Sequence, residues 1–459
     1  MLGKLLQPEI QELIASRQFS QLRGALDDLH PSDLADLLVD LDASDQAVVF
    51  RLFPVSLAAD AFEFMELDAQ KALLRSLGSE DVARVLNEMS PDDRTALLEE
   101  LPGPVVKSLL EILTPEERRL AQSLLGYPEG SVGRLMTPEY IAVRPGWTVA
   151  QVLDHIRDRG REVESLDVLY VIDDRGRLLD DITIRELLLA RPDDMVERVM
   201  NYSYISLSVA DSQEKAVETF RKYSRLALPV ADAAGFLIGI VTIDDVLDVA
   251  EEADTEDIQK FGGLEALDYP YIATPLVQLV KRRAGWLVFL FLGEMLTATA
   301  MGYFEKEIAR AVVLALFVPL IISSGGNSGS QAATLVIRAM ALGEVRIRDW
   351  WRVMRREVLS GLMLGAILGC IGFLRIAVWS AFTSLYGPHW LLVAVTVGLS
   401  LVGVVLWGTV VGSMLPFLLR RLGFDPASSS APFVATMVDV SGLVIYFTLA
   451  AVILHGTIL

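Results

Sequence analysis

Five apolar stretches, at roughly residues 284–304, 311–336, 358–380, 390–419 and 431–456, are each long enough to cross a hydrocarbon core of about 30 Å, which takes about 20 helical residues. All five follow Pro270. Backbone groups in lipid must bond within their own segment, so this part of the chain can only be a bundle of membrane-spanning helices. The charge divides at the same place. Residues 271–459 carry 8 acidic and 14 basic side chains, whereas residues 1–270 carry 52 acidic and 26 basic. The mean hydropathy of +0.42 therefore averages a strongly acidic soluble part and a lipid-compatible part. A surplus of 26 negative charges excludes nucleic acid as a partner, because phosphate binding needs a basic surface, and points to cations.

Basic residues near the span ends set the orientation. Lys281, Arg282 and Arg283 precede the first span, six arginines from Arg338 to Arg356 fill the loop after the second, and Arg420 and Arg421 follow the fourth. These clusters share one side if the N-terminus is cytosolic and the C-terminus outside. Gly361, Gly365 and Gly369, and likewise Gly408 and Gly412, recur at four-residue spacing and predict close helix packing, or a seam between subunits. Three ionisable residues fall inside spans, where each is costly: Glu294, Arg375 and Asp439. Arg375 is near a span end and can snorkel. Asp439 sits in the run Pro432 to Gly442, with a helix breaker, hydroxyls and glycine around it. The second span carries a matching polar run after Pro319, Ser323-Ser324-Gly325-Gly326-Asn327-Ser328-Gly329-Ser330-Gln331. Polar, glycine-rich backbone at membrane depth belongs where it lines a cavity or is buried in protein. Two such runs predict a shared aqueous path lined by oxygens and amides, suited to a hard, hydrated cation. Its expected lining is Gly326, Asn327, Gly329, Pro432, Ala435, Asp439 and Gly442.

The soluble part carries two repeats. Between residues 30 and 125, helix starts are expected at Ser32, Ser44, Ser56, Asp68, Ser79, Ser90, Gly103 and Thr114, spaced 11 to 13 residues apart. Thr114-Pro115-Glu116-Glu117 is a capping box with proline at the first helical position. Short helices of fixed period stack into a solenoid. A second repeat aligns Met136–Ile156 with Met200–Phe220 at an offset of 64, and Asp173–Gly176 with Asp232–Gly235 at an offset of 59. Each copy reads strand, helix, strand, turn, strand, helix. This resembles a tandem pair of CBS domains. Such pairs often bind adenine nucleotides, and Thr242 and Asp245 match the Thr-plus-Asp pattern that the resemblance assigns to that pocket. The first copy departs from it, with Asp180 in place of Gly and Glu186 in place of Asp. The last helix then runs on from Asp244 with eight carboxylates in 14 residues, ending at Gly262-Gly263 just before the first span.

This order, together with the runs Pro319…Gln331 and Pro432…Asp439, resembles the MgtE family of bacterial magnesium channels over essentially the whole chain. The implied architecture is a multidomain, α-rich membrane protein. It has an acidic helical N-domain (1–130), two α/β CBS domains (131–199 and 200–247), a connecting plug helix (248–270) and a five-helix pore domain (271–459). The resemblance implies a homodimer in the bacterial inner membrane. Spans two and five of both subunits would line its pore, and Asp439 would hold hydrated Mg²⁺. It further implies closure by cytosolic Mg²⁺ at Asp60 and Asp92 of the solenoid, Asp245, Asp248, Glu256 and Asp257 of the plug helix, and Asp425 before span five. Ser224 and Arg225 stand where an acidic and an aromatic residue occur in some relatives. A divalent-cation transporter for manganese or cobalt, or a membrane-anchored sensor of cations or nucleotides, are the competing readings; five spans and an intramembrane acid count against a mere anchor. Enzyme activity has no candidate. The single Cys370 and four scattered histidines give no Cys-rich or HExxH metal site, and no GxxxxGK[ST] loop or Ser/His/Asp spacing stands out. The N-terminus reads as lacking a signal peptide, since Pro8, Glu9 and Glu12 interrupt any apolar core.

Overall fold

The structure is a computed structural model of the chain, describing every residue except 1, 27–28, 162, 268–270, 272–273, 456 and 458–459. Pro270, where the composition changes, lies outside the described residues. Two compact units, Met1–Glu251 and Glu252–Leu459, are held together by different physics.

The first unit begins with helices Leu2–Ala15 and Phe19–Leu26 and then eight short helices starting at Pro31, Ala43, Val55, Leu67, Ser79, Pro91, Gly103 and Pro115, a period of 12 residues throughout. The caps are Ser90 and Thr114 where those were expected. Ser32, Ser44, Ser56 and Asp68 instead lie one residue inside their helices, because the period is set by packing rather than by caps. His30 and Thr114 accept a cap bond through the side chain, and Asp42, Pro54, Glu66, Gly78 and Pro102 do not. The inward faces, including Leu34, Leu37, Leu38, Phe50, Phe62, Leu73, Leu86 and Leu98, form one continuous core. Removing this apolar surface from water, at about 25 cal/mol per Å², is what holds helices this short, which would be marginal alone. Arg94 is fully buried within it, donating to the carbonyls of Leu86 (2.9 Å) and Met89 (3.3 Å) and pairing with Glu117.

The tandem α/β copies follow. Strands β1 (Ala142–Val143), β2 (Val168–Ile172) and β3 (Leu178–Thr183) make one three-stranded sheet. Strands β4 (Leu207–Ser208), β5 (Ala227–Ala231) and β6 (Leu237–Thr242) make the other. In each, the first strand pairs parallel to the second and the second antiparallel to the third. The repeat reaches fine detail. Both middle strands shift register at the same place, Val171/Ile172 and Val230/Ala231. Asp173 and Asp232 each accept two backbone N–H bonds at 2.8–2.9 Å in the turn that follows. Gly176 (φ +88°) and Gly235 (φ +82°) take the left-handed step there, which a side chain would oppose. The two copies meet over Val168, Tyr170, Leu178, Leu237 and Ile240.

The acidic helix Ile243–Phe261 leads out of the second copy and crosses the division between the units. Among its described residues the second unit holds five helices long and apolar enough to span a membrane: Leu276–Tyr303, Val312–Ala341, Ile347–Phe382, Trp390–Arg421 and Ala431–Leu454. The third starts well before the expected residue 358. Hydropathy reads the lipid-facing slab, whereas the helix continues beyond it and carries Arg348, Arg352, Arg355 and Arg356. The expected end of the fifth, residue 456, lies outside the described residues. Within the second span, Val318–Ala341 is continuous helix through the whole Ser/Gly/Asn run, with Pro319 in its first turn where a missing N–H costs nothing.

Span four is the centre of this unit. A Cβ on Gly408 would lie 2.4 Å from the Gly325 carbonyl oxygen, and one on Gly412 2.0 Å from that of Gly329, so spans two and four meet backbone to backbone. Gly365 and Gly369 pack likewise on Val402 and Gly398, joining spans three and four. Both glycine ridges are thus used inside one chain. Ser328 and Thr409 share a hydrogen bond of 2.9 Å across the first of these contacts. We predict that Gly412→Ala destabilises the detergent-solubilised protein by about 1–3 kcal/mol, as overpacking does. Gly403→Ala, whose Cβ finds nothing nearer than 3.5 Å, should leave the thermal midpoint close to wild type. Equal midpoints for the two variants would contradict the packing assignment.

Candidate functional site

Two helix N-termini in the first unit carry carboxylates into the same region. Helix Pro91–Glu99 has Asp92 and Asp93 in its first turn, and helix Ile243–Phe261 has Asp244 and Asp245. An acid is at home there because the positive end of the helix dipole faces it. Here the arrangement places acid against acid. Asp92 is 5% exposed, and burial followed by the charge of Asp245 holds its carboxyl well above the usual range. Burial pushes Asp245 up to about 8, although Thr242 donates to its Oδ2 at 2.6 Å. Glu63 joins them. Its Oε1 accepts from the Ser90 amide at 2.7 Å, and burial plus Asp93 raises it to about 8. The Ser90 hydroxyl donates to Asp93 at 2.7 Å. Glu164, from the loop before β2, is raised to about 7 by burial and then by Asp244 and Asp93. Asp60 and Asp248 are raised at the margins, by burial first and then by Glu88 and by Asp93 respectively. The solenoid and the second CBS copy are thus joined through carboxylates that lack enough cations. Among the described residues no set of three or more His, Cys, Asp or Glu side chains converges as ligands for one bare ion. What the site offers is a concentrated negative field, suited to a cation that keeps its water.

The second unit has a smaller site with its cation built in. Lys260, the only basic residue in the helix Ile243–Phe261, lies 2.8 Å from Glu256 Oε1 and 2.9 Å from Asp425 Oδ2. Burial opposes the charge on Lys260, but the two carboxylates outweigh it and raise its pKa. Burial, then Asp425, raises Asp257 beside it. Asp425 also accepts from the Ala427 amide at 2.8 Å, fixing the turn before span five.

Within the membrane, Asp439 is half-buried between spans two and five. A Cβ on Gly326 would meet Ala435 Cβ at 3.4 Å and Asp439 Oδ1 at 3.5 Å, so these three residues share one contact. No lysine or arginine pairs with Asp439 among the described residues. Span one packs on the same helix, with Gly293 against Thr436, and this brings Glu294 within electrostatic range of Asp439. Asn327 is exposed and reaches Ser323 at 3.4 Å. Pro432 stands beside Gly263 at the start of span five. Gly329 and Gly442 depart from the expected lining: they are buried against Gly408 and Val404 of span four, where a side chain would collide. Small residues at such spacing serve helix contact as readily as a water path, and the pattern alone does not separate the two.

Against known proteins, the chain is 38% identical over 451 residues to the magnesium transporter MgtE of Thermus thermophilus, covering 97% of this chain and 98% of that one. The chain belongs to the MgtE family of magnesium transporters. The MgtE relative from Bacillus subtilis is 28% identical over 444 residues, covering 97% of this chain and 96% of that one. Family profiles match in the expected order: the MgtE intracellular N domain at 29–130, CBS domains at 132–193 and 196–252, and a divalent cation transporter at 318–449. The crystal structure of the cytosolic domain of the Mg²⁺ channel MgtE in complex with ATP aligns at 34% identity and a TM-score of 0.50, covering 52% of this chain and 98% of that one. That of the soluble part of a magnesium transporter aligns at 27% and 0.52, covering 55% and 99%.

Among the acids expected from the MgtE resemblance, Asp60, Asp92, Asp245 and Asp248 gather in the first unit, while Glu256, Asp257 and Asp425 gather in the second. Sequence reading missed Glu63, Asp93, Glu164 and Asp244. Asp93 and Asp244 were findable as neighbours in the same helix starts; Glu63 and Glu164 come from distant segments with no local pattern. Lys260 was findable as the lone cation in an acidic helix.

Two outcomes follow for the MgtE chain. Carboxyls raised in the packed state bind protons that the separated state, with ordinary values near 4, does not. The packed arrangement is therefore most stable at low pH and weakens as pH rises from about 4 to about 8. In divalent-free buffer, amide hydrogen exchange around Ser90–Asp93 should speed up between pH 6 and pH 9 beyond the intrinsic base-catalysed change, and a purely intrinsic change would contradict the assignment. Lys260→Gln removes two ion pairs that are partly screened by solvent, each worth about 1 kcal/mol or less. It should speed protease cleavage near residue 262 a few-fold under the same conditions, and wild-type cleavage rates would show the pairs to be idle.

Proposed function

We propose that the chain is a magnesium-selective channel of the bacterial inner membrane, passing Mg²⁺ into the cell down its electrochemical gradient and closing when cytosolic Mg²⁺ is high. The observation that carries the reading is the half-buried Asp439 beside Gly326 and Ala435, with which no lysine or arginine pairs among the described residues. A carboxylate at membrane depth without a basic partner is costly unless a mobile cation visits it. Chains paired as a homodimer about spans two and five would bring two such carboxylates around one hydrated ion. They would attract it without stripping its tightly held water. Asn327, exposed on span two, would face the same path, and Glu294 would add to its negative potential. The driving force is sufficient without nucleotide hydrolysis, since a divalent ion gains about 4.6 kcal/mol per 100 mV. In this reading the N-terminal unit lies in the cytosol and the C-terminus outside, which the basic clusters near the span ends support.

Closure follows from the acid clusters. Cytosolic Mg²⁺ held among Asp60, Glu63, Asp92, Asp93, Asp245 and Asp248 turns repulsion between solenoid and CBS pair into attraction. The same ion held among Glu256, Asp257 and Asp425 does so at the base of span five. The packed state gains only what Mg²⁺ binds more tightly there than in the separated state. The helix Ile243–Phe261 links the two clusters and acts as the plug. Regulatory affinity is millimolar, because the ligands are shared carboxylates around hydrated ions.

In proteoliposomes, Asp439→Ala should abolish selective Mg²⁺ uptake while leaving the protein assembled by size-exclusion chromatography; wild-type uptake in that variant would overturn the pore assignment. Competition by Mn²⁺ or Co²⁺ in the same assay separates the magnesium reading from a channel for those ions.

A further inference from the structure

The acidic helix Ile243–Phe261 ends in a defined stop. The Gly263 amide donates to the Lys260 carbonyl at 2.9 Å and the Leu264 amide to that of Gln259 at 3.1 Å, the pair of bonds that closes a helix through a left-handed residue. Gly263 takes that step at φ +76°. The same glycine is buried against spans one and five. A Cβ on it would lie 2.5 Å from Trp286 Cδ1, 2.6 Å from Trp286 Nε1 and 3.5 Å from Pro432 Cγ. The turn is therefore keyed into a notch, formed by Trp286 and Pro432, that glycine alone enters. It is tied down on both sides, by Lys260 to Asp425 at 2.9 Å and by the Leu267 amide to Gln259 Oε1 at 2.7 Å.

Trp286 has a second contact. A tryptophan near the start of a span commonly sits at headgroup level, its ring in the apolar layer and its N–H toward the polar one. Here Nε1 instead donates to Ser430 Oγ at 3.1 Å, and Ser430 is fully buried. Ser430 is the N-cap of span five, its Oγ accepting from the Phe433 amide at 3.4 Å. The Trp286 ring also packs on Phe289 and Phe433, at centroid distances of 5.5 and 6.1 Å. The next carbonyl, of Ala431, accepts from Ser330 of span two at 3.1 Å. One indole thus touches the end of the acidic helix and the cap of span five at once. Asp439 stands on that same span, nine residues beyond Ser430.

We infer that Trp286 is a positioning residue that couples the acidic helix to the pore. While Gly263 fills the notch, the indole holds Ser430 and the first turn of span five in place; withdrawal of the helix end releases both. This rests on the channel reading and names the contact through which closure reaches Asp439. The test uses the full-length protein in lipid nanodiscs. Gly263→Ala expels the turn from the notch, and Trp286→Phe removes the N–H while keeping a ring. Each should raise amide hydrogen exchange of Phe433–Thr436 several-fold, and the double variant should match the single ones, because both changes open one contact. In proteoliposomes, Trp286→Phe should raise several-fold the fraction of Mg²⁺ uptake that survives saturating cytosolic Mg²⁺. Wild-type exchange of Phe433–Thr436 in either variant, additive effects in the double variant, or wild-type inhibition in Trp286→Phe would overturn the inference. Exchange is read without ion flux, so a wild-type protein that takes up no Mg²⁺ would sink the channel reading while exchange still decides the coupling.

Discussion

Like charges packed at two facing helix starts are the constraint on which the soluble unit depends. Asp92 and Asp93 open one helix, Asp244 and Asp245 open the other, and Glu63 and Glu164 close the gap between them. Two unit charges 4 Å apart repel by about 1 kcal/mol in water and about 4 kcal/mol near a protein surface. Several such pairs in one partly buried interface rival the net stability of a domain, about 5–15 kcal/mol. The cost is met by protonation, by separation of the parts or by a bound cation. Such an interface reports on the ionic content of its surroundings through its own electrostatics.

The membrane unit works by the opposite economy of charge. Its cohesion comes from glycine contacts at van der Waals distance, spans three and two closing on span four, with no ion pairs required. That rigid scaffold sets Asp439 beside Gly326 and Ala435. Between the two regimes lies the helix Ile243–Phe261, acidic along its length and held at its far end by Lys260 to Asp425. Lys260 does with a tethered ammonium what the proposed mechanism assigns to Mg²⁺, drawing carboxylates of two segments together.

Much of this was legible in the sequence. The 12-residue solenoid period, the α/β repeat down to its Asp-Gly turns, and the five spans are all periodic features, and periodicity is local information. Asp439 was legible because an acid in a span is rare. What was not legible depended on long-range contact. Glu63 and Glu164 read as ordinary surface acids until the fold brings them to Asp93. Gly329 and Gly442 read as cavity lining because a glycine that admits a water path and one that admits a neighbouring backbone look alike in one dimension. Asp180 was visible as a departure, but its hydrogen bonds from the amides of Asn201 (2.7 Å) and Tyr202 (2.9 Å) join it to the start of the second copy, a contact no local pattern announces.

The central claim is that cytosolic magnesium closes the pore by neutralising this interface, and electrical recording in planar bilayers tests it most directly. Magnesium on the side facing the soluble unit is stepped from micromolar to several millimolar at two pH values. The account predicts a steep fall in open probability in the millimolar range. It also predicts that the fall moves to higher magnesium at higher pH, because the protons that stabilise the packed state at lower pH are lost and more of the metal ion is needed to close it. An open probability indifferent to magnesium on that side, or a midpoint unmoved by pH, would contradict it.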